Sequence, residues 1–437
     1  MNTLIKGGRV IDPANNIDDT QDLFISEKRV AALGKAPAGF EADRTLDAEG
    51  LVVCPGLVDL QARLREPGEE HKATLKSELG AAIAGGITTV CCPPDTDPVI
   101  DTPAMAHMIR QRSKEINLTN VHPVGALTRG LAGNQLTDMA SLHDAGCVAL
   151  GNAEKAVDNT LLMRRAMQYA TTFDLTVFLN ALDPWLKGNG CVHEGEVSTR
   201  LGLPAIPEAA ETVALARELA LIETTGARGH ITQLSCARSV IKLAEAQRRE
   251  LAVTAAVSAH HLHLSEQDIG EFDTRAHVIP PLRSLTDRDA LRRGLADGII
   301  QAICSDHQPN GFDAKLTPFS ESAPGISGLE TLLSLTIKLV DEGVLNLSQA
   351  LATITINPGR ILGIGVGQLS VGAMADICVF DPKTKWIVDA SHLRSNGTNT
   401  PFDGQSLPGT VHWTLVAGAI VFDRTEVKGF TESRVEP

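Results

Sequence analysis

The sequence predicts an α/β fold built around a (β/α)8 TIM barrel, in which eight parallel strands alternate with crossover helices. Eight short runs rich in Val, Ile and Ala lie between residues 56 and 305, and each run ends in polar or glycine residues. The runs lack the strict alternation of half-buried strands, which indicates strands covered on both faces. Amphipathic stretches long enough for helices separate the runs, so about 250 residues fit a single barrel.

The predicted elements follow one another at intervals typical of βα units. The eight predicted strands are, in chain order, Gly56–Leu60, Thr88–Cys92, Val121–Ala126, Cys147–Gly151, Thr176–Asn180, Gly229–Gln233, Val253–Val257 and Ile299–Ser305. Predicted crossover helices include Asp158–Ala170 and Ile206–Thr224. Apolar residues at helical spacing between positions 329 and 340 predict a later helix. We expect Ser348 to cap a last helix that stops at Asn357-Pro358, because the residue before a proline disfavours the α conformation.

The two ends of the chain differ in pattern from the predicted barrel. Residues 1–53 and 367–437 consist of short β-like pieces and turns. Neither end has enough apolar residues for a core of its own, so we expect both ends to pair into one small β-sandwich domain. Residues 54–366 then form the barrel domain.

The composition argues against several classes of function. Lys and Arg total 39 and Asp and Glu total 53, and the resulting net charge of −14 disfavours a nucleic-acid partner. No apolar run approaches the ~18 residues that a membrane span requires, so we expect no membrane partner. The eight cysteines form no C-x-x-C pair, and most lie in apolar runs. Because buried thiols without disulfides are typical of the reducing cytoplasm, we expect a cytoplasmic protein.

The segment Pro55–Arg65, at the first predicted strand, resembles the first barrel strand of dihydroorotases, a family of cyclic amidohydrolases. In that family an H-x-H-x-R motif supplies two metal ligands and a substrate-binding arginine. Here the two histidine positions hold Gln61 and Arg63, whereas the arginine is kept as Arg65. The likeness extends over nearly the whole chain, and other matching segments are Ala84–Val90, His260–Leu262, Pro280–Arg283, Ser322–Glu330, Asn357–Arg360 and Asn399–Phe402.

The other ligand positions of the resembling family lie at the carboxyl ends of later strands, and most of them also differ. Asn152 and Ala153 stand where the family has a bridging aspartate after strand 4. Asn180 takes the place of a ligand histidine after strand 5, and Gln233 does so in the stretch that begins at His230. The strand 8 aspartate alone remains, as Asp306. The remaining substrate-side differences are Ile279 in place of an asparagine and Gln308-Pro309-Asn310 in place of A-P-H.

These replacements predict that the chain binds no metal and needs no cofactor. Zinc sites are built from imidazole, carboxylate or thiolate, usually three or four per ion, and a neutral amide oxygen is a weak donor. Arg63 is always protonated, and its charge at ~4 Å from a divalent ion costs roughly 8 kcal/mol at an effective dielectric near 20. Without the ion there is no metal-activated water. We therefore expect Arg63 to fill the vacated position and to pair with Asp306, since an unpaired buried carboxylate is costly.

The resemblance implies a dihydroorotase-like pseudoenzyme rather than an enzyme. Its vestigial site comprises Gln61, Arg63, Arg65, Asn152, Asn180, His230, Gln233, His260 and Asp306, with no catalytic residue among them. Dihydroorotase-like chains without zinc ligands are non-catalytic partners of aspartate carbamoyltransferase, the preceding enzyme of pyrimidine biosynthesis. The resemblance thus implies a homodimer that binds and supports catalytic chains of that enzyme in a larger hetero-oligomer, such as a dodecamer.

Other functions remain open at this point. The chain could be an active amidohydrolase with a rebuilt, metal-free site for a small cyclic amide, in which Asp306, His230, His260 or Arg63 takes a new role. It could also be a sensor that keeps Arg65 to hold a carboxylate. The sequence offers weaker candidates in a metal cluster at His260–His263 and a Cys191–His193 nucleophile-base pair, but adjacency in sequence creates neither. Phosphate-loop and serine-elbow motifs are missing.

Overall fold

The computed structural model describes residues 1–426, in which strands and helices alternate along most of the chain. The strands are β1 Thr3–Asp12, β2 Ile17–Ser26, β3 Arg29–Leu33, β4 Arg44–Asp47, β5 Val52–Pro55, β6 Leu57–Asp59, β7 Ile87–Cys92, β8 Asn120–Ala126, β9 Ala149–Gly151, β10 Thr176–Leu179, β11 Val192–His193, β12 Ala205–Ile206, β13 Gly229–Ile231, β14 Val253–Ser258, β15 Ala302–Cys304, β16 Ile377–Ile387, β17 Ser406–Val416 and β18 Ala419–Asp423. The α-helices are α1 Leu75–Ala84, α2 Pro103–Ile116, α3 Met139–Asp144, α4 Thr160–Thr172, α5 Pro184–Lys187, α6 Glu196–Leu201, α7 Ala209–Thr225, α8 Ala237–Arg248, α9 Leu285–Ala296, α10 Leu332–Asp341, α11 Leu347–Thr353 and α12 Ile356–Leu362.

Eight parallel strands form the barrel, and their spatial order is their order in the chain: β6, β7, β8, β9, β10, β13, β14 and β15. The first and last strands meet at a seam. There Ala62 bridges His307, and the Ser305 backbone N–H donates to Asp59 Oδ1 at 2.9 Å. All eight predicted strands are present within a few residues of their predicted bounds, so the predicted (β/α)8 barrel is confirmed.

The interior of the barrel is filled by side chains, as the fold requires. Alternate residues of the strands point inward and pack together, namely Val58, Leu60, Cys91, Val124, Ala149, Phe178, Ala256, Ala302 and Cys304. Leu362 and Ile361 of α12 belong to the same cluster, and Ile361 accepts a hydrogen bond from Thr176 at the start of β10. These α12 residues close the amino-terminal end of the barrel. The polar residues that follow the strands therefore define a mouth at the carboxyl-terminal end.

The last helices differ from the prediction. Asn346, and not Ser348, caps α11: its side chain accepts from Gln349 N, and the Gln349 side chain accepts from Asn346 N. Helix α11 ends at Thr353, and α12 then begins at Ile356 with Pro358 inside its first turn. Proline is tolerated there because the first turn has no intrahelical acceptor for its missing N–H.

Strands from both ends of the chain build the small domain as one hydrogen-bonded sheet rather than two separate sheets. Its order is β18-β17-β16-β5-β1-β2-β3, and β4 pairs with part of β1. Strand β5 joins the halves, because it pairs with β1 on one side and with β16 on the other. The sheet encloses a separate apolar core that includes Leu23, Leu46, Val53 and Leu415. Positions 427–437 of the predicted small domain lie outside the described residues.

Two observations bear on the expectations of no membrane partner and no disulfide bonds. Within residues 1–426, no helix combines the length and the apolarity that crossing a membrane requires. All eight cysteines are buried as free thiols.

Candidate functional site

The mouth of the barrel is organised around the guanidinium of Arg63, which follows β6 and is 6% exposed. Its Nε donates to Asp95 Oδ2 at 2.7 Å, and its Nη2 donates to Glu154 Oε1 at 2.9 Å. Its Nη1 lies 3.8 Å from Asp306 Oδ1. The expected pairing of Arg63 with Asp306 is therefore an ion pair without a hydrogen bond. The two hydrogen bonds go instead to Asp95 and Glu154, which were not among the predicted site residues.

Asp306, two residues after the end of β15, is the most deeply buried carboxyl of this group and accepts hydrogen bonds from amides. Its Oδ1 accepts from Gln61 Nε2 at 3.2 Å and from Gln308 Nε2 at 3.1 Å. Burial raises the pKa of Asp306 to about 7, although the positive charge of Arg63 acts in the opposite direction. The carboxyl can therefore both accept and donate a proton near neutral pH, which is the range in which general acid–base groups work best.

Several buried polar atoms in and near the mouth have no hydrogen-bond partner among residues 1–426. They are Arg63 Nη1, both amide atoms of Gln233, His230 Nε2 and His260 Nε2. The Gln233 amide nevertheless lies near enough to Asp306 to lower the pKa of that carboxyl. Buried polar atoms normally pair with protein or with ordered water, so these atoms can hydrogen-bond to a water or to a bound molecule.

The buried histidines are neutral bases of low affinity for protons. Burial lowers the pKa of His230 to about 3, and its Nδ1 lies 2.9 Å from Thr254 Oγ1. Burial, with a smaller contribution from His261, holds the pKa of His260 well below its ordinary value. His230 and His260 can therefore accept or donate hydrogen bonds, but neither supplies a positive charge near neutral pH.

Two predicted site residues are held by local structure. Asn152 accepts from Thr128 N at 3.2 Å and from Thr128 Oγ1 at 2.9 Å, and it donates to Lys155 O, so it stabilises loops and does not contact Asp306. Glu154, two residues later, supplies the carboxylate at this position instead. Arg65 is half-buried, donates to Glu69 Oε2 at 2.7 Å and contacts Pro309 O at 3.1 Å, which places it beside the mouth.

A concave pocket lies beside this network. It is lined by Leu60, Gln61, Pro93, Pro94, Val124, Gly151, Ala153, Phe178, Asn180 and Thr232, and its empty volume is about 350 Å³ including space open to solvent. Most of the lining is apolar, with Gln61, Asn180 and Thr232 as the polar groups.

The residues at the mouth do not fit the metal centre of the resembling family. Within the described part of the chain, no three His, Cys, Asp or Glu side chains are grouped so that they could hold a metal ion. The donors closest to Asp306 are the amides of Gln61 and Gln308, and the nearest charged group is the guanidinium of Arg63. Neutral amides and a permanent cation are poor surroundings for a divalent ion.

The weaker candidates of the sequence analysis are not assembled. His261 Nε2 contacts Pro280 O at 3.1 Å, whereas His263 Nε2 contacts Leu335 O at 2.8 Å, so the histidines of this stretch do not converge on one point. Cys191 Sγ contacts Pro204 O, and His193 Nδ1 faces Arg283 Nη1 at 3.2 Å. The cysteine and the histidine therefore have separate partners.

Comparisons with known proteins agree with this fold. The family model described as "Dihydro-orotase-like" matches residues 50–239, and that of the "Amidohydrolase family" matches residues 196–422. The chain is similar to a "Dihydroorotase-like protein" of Pseudomonas putida, 47% identical over 96% of this chain and 99% of the relative. It is also similar to a "Dihydroorotase" of Syntrophus aciditrophicus, 43% identical over 97% of this chain and 99% of the relative. Its fold matches the L-hydantoinase of Arthrobacter aurescens with a TM-score of 0.87 at 23% identity, covering 98% of this chain and 97% of the hydantoinase.

These relatives correct one expectation. The prediction that the chain is not an enzyme is wrong, because relatives 43% and 44% identical over nearly the whole chain carry the name of an enzyme, dihydroorotase. Loss of the metal ligands does not by itself remove all activity, because a barrel mouth can carry out chemistry with other groups. The chain belongs to the dihydroorotase-like proteins of the amidohydrolase family.

Proposed function

We propose that this dihydroorotase-like protein works in pyrimidine biosynthesis by binding catalytic chains of aspartate carbamoyltransferase and supporting their assembly and activity. One observation supports this role above the others. The family fold is complete from the small sheet to the closed barrel, whereas the mouth is organised around Arg63 in place of a metal centre. Binding a partner requires the folded surface of the protein but no metal centre. A binding role therefore accounts both for the family fold and for the mouth built around Arg63.

The physical basis of such support is linkage. A partner that binds only the folded enzyme stabilises it by mass action, and the effect grows with the concentration of the partner. A stable interface buries at least about 1,000 Å² and centres on aromatic anchors. Trp185 in α5 and Phe312 after β15 are 83% and 68% exposed, and both belong to segments that follow the carboxyl ends of barrel strands.

Size-exclusion chromatography with light scattering tests this role. The chain alone, the carbamoyltransferase catalytic chains from the same organism, and a mixture are compared at about 10 µM, a concentration that reveals micromolar affinities. We expect a dimer for the chain alone and a larger complex that contains both proteins, such as a dodecamer. We also expect higher carbamoyl-aspartate formation in the mixture. Separate elution with unchanged activity would refute the proposal.

A second candidate is acid–base chemistry on a small cyclic amide without a metal, and the surroundings of Asp306 favour it. A buried carboxyl with a pKa of about 7 is suited to accept a proton from a water molecule that attacks a ring carbonyl. The unpartnered Arg63 Nη1 and Gln233 amide are donors available to a carbonyl oxygen. Hydrolysis would then break the C–N bond between that carbonyl and the ring nitrogen, and the proton held by Asp306 would pass to the leaving nitrogen. The products are a carboxylate and a nitrogen that bears the added proton, which is part of a ureido group when the substrate is dihydroorotate.

Turnover measurements with dihydroorotate in the presence of a chelator test this candidate. We expect chelator-resistant ring opening that falls by about 10² or more in Asp306→Asn, because removal of a general base typically has that effect. The matched control is Asn180→Ala, which changes the pocket lining but leaves the carboxyl in place. Turnover that Asp306→Asn leaves unchanged, or that the chelator abolishes, would contradict it.

A further inference from the structure

The network around Arg63 joins four separate loops at the barrel mouth. Arg63 follows β6, and its three carboxylate partners follow β7, β9 and β15. The Nε, Nη2 and Nη1 atoms each face a different carboxylate, at 2.7, 2.9 and 3.8 Å. A planar guanidinium spreads its donors over three nitrogen atoms in a fixed geometry, whereas the ammonium of lysine is a compact point charge with one nitrogen. One cation therefore links loops from distant parts of the barrel.

The position of this cation is costly unless it is compensated. The side chain of Arg63 is 7% exposed and that of Asp306 is 2% exposed, so both charges are removed from water. Desolvation of such a pair is offset only when the geometry is good and other groups satisfy the remaining atoms. Asp95 and Glu154, 24% and 30% exposed, provide that compensation.

The backbone around the network is strained. Arg65, Ala153 and Asp306 have positive φ values of 61°, 49° and 46°, a region that non-glycine residues rarely adopt. Each of them is a member of the network or lies within two residues of one. Left-handed backbone persists where surrounding contacts fix it. The ion pairs of Arg63 are the contacts common to these three loops.

We propose that the Arg63 guanidinium replaces the divalent cation of the family as a permanent cationic cross-link of the barrel mouth. The strand-end carboxylates converge on it as ligands converge on a metal ion, and the loops keep their conformation without one. The cross-link lies within one chain and does not involve the proposed carbamoyltransferase partner. The purified chain alone is therefore sufficient for its tests.

The first test compares thermal midpoints of Arg63→Met, Arg63→Lys and the wild-type chain. Removing one member of a buried ion pair leaves uncompensated charge, so we expect Arg63→Met to lower the midpoint by roughly 5 °C or more. Arg63→Lys should fall between the two. Arg292→Met is the matched control, because Arg292 is also partly buried and pairs with Glu342 at 2.9 Å but lies on α9. We expect a smaller shift there, since only one carboxylate is affected.

The second test is metal dependence. We expect the wild-type chain, purified from zinc-supplemented medium, to contain less than about 0.1 zinc per chain, and its midpoint to change with neither chelator nor added zinc. The double variant Gln61→His/Arg63→His offers zinc two imidazoles beside Asp306. We expect it to be as unstable as Arg63→Met when metal-free and to recover most of the lost midpoint with one equivalent of zinc, whereas Arg63→Met should not respond.

Three outcomes would overturn the inference: stoichiometric zinc in the wild-type chain, a midpoint of Arg63→Met equal to that of the wild type, or a double variant that ignores zinc. If Arg63→Met fails to fold, the zinc content of the wild type and the midpoint of Arg63→Lys still decide the question.

Discussion

Asp306 shows at the scale of one residue how burial sets chemistry. An aspartate carboxyl in water is ionised at neutral pH. Burial raises the pKa of Asp306 to about 7, although the guanidinium of Arg63 lies 3.8 Å away. Desolvation therefore outweighs the ion pair at this position. The same carboxyl is held by two glutamine amides, which fix its orientation without fixing its charge.

A pH dependence of stability follows from this pKa. The folded protein binds the Asp306 proton more tightly than the unfolded chain does, so stability falls as the pH rises from about 4 to about 7. The full effect is at most roughly 4 kcal/mol. Because Asp306→Asn cannot ionise, we expect its thermal midpoint to fall less than that of the wild type between pH 5 and pH 8. Equal falls in the two proteins would show that Asp306 does not titrate in this range.

The residues of the mouth could be predicted only in part. The sequence indicated Arg63 and Asp306, because both occupy motif positions at strand ends. Asp95 and Glu154 were missed, because neither stands at a ligand position of the family motifs. The signal that could have found them is a carboxylate shortly after each strand, a position that faces the mouth in this fold.

The barrel strands were easier to predict from the sequence than the ends of the helices. Continuous apolar runs between polar residues identified all eight barrel strands, because parallel strands are buried on both faces. The start of α11 was placed two residues late, since Ser348 and Asn346 are both good capping residues. The deciding signal was Gln349, three residues after Asn346, which completes a reciprocal cap.

The cap of α11 gives a direct comparison of two neighbouring residues. We expect Asn346→Ala to lower the free energy of unfolding by about 1 kcal/mol, because it leaves the Gln349 N–H and the first turn without a partner. This corresponds to a fall of roughly 1–3 °C in thermal midpoint. Ser348→Ala is the matched control and should shift the midpoint little. The cap assignment would be wrong if the serine variant were the less stable of the two.

Besides its own core, the small sheet shares a second apolar core with the barrel. Phe380 of β16 and Phe402 are fully buried in the same cluster as Leu57 and Leu79 of the barrel domain. Thr414 of β17 also donates to Ile83 O of α1 at 2.7 Å. The face that the barrel presents to this sheet is therefore apolar, and the barrel depends on both ends of the chain.

Expression of residues 54–366 alone tests that dependence. Without the sheet, the apolar face meets water, and each large side chain exposed costs roughly 1.5–3 kcal/mol. We expect the fragment to aggregate or to bind a hydrophobic dye, whereas the full-length chain under the same conditions does neither. A soluble fragment with a cooperative thermal transition would mean that the barrel folds independently.

The outer surface at the barrel mouth is where we expect the carbamoyltransferase catalytic chains to bind. Exposed aromatic side chains are the commonest anchors of protein interfaces, and Trp185 and Phe312 are the most exposed aromatic residues around the mouth. We expect the double variant Trp185→Ala/Phe312→Ala to weaken binding to the catalytic chains by about tenfold or more, measured by titration calorimetry. The control is Val371→Ala, since Val371 is as exposed as Phe312, at 68%, but precedes β16 in the small domain. If the control weakens binding and the aromatic variant does not, the partner binds at the small sheet, and the barrel mouth remains free for a small molecule.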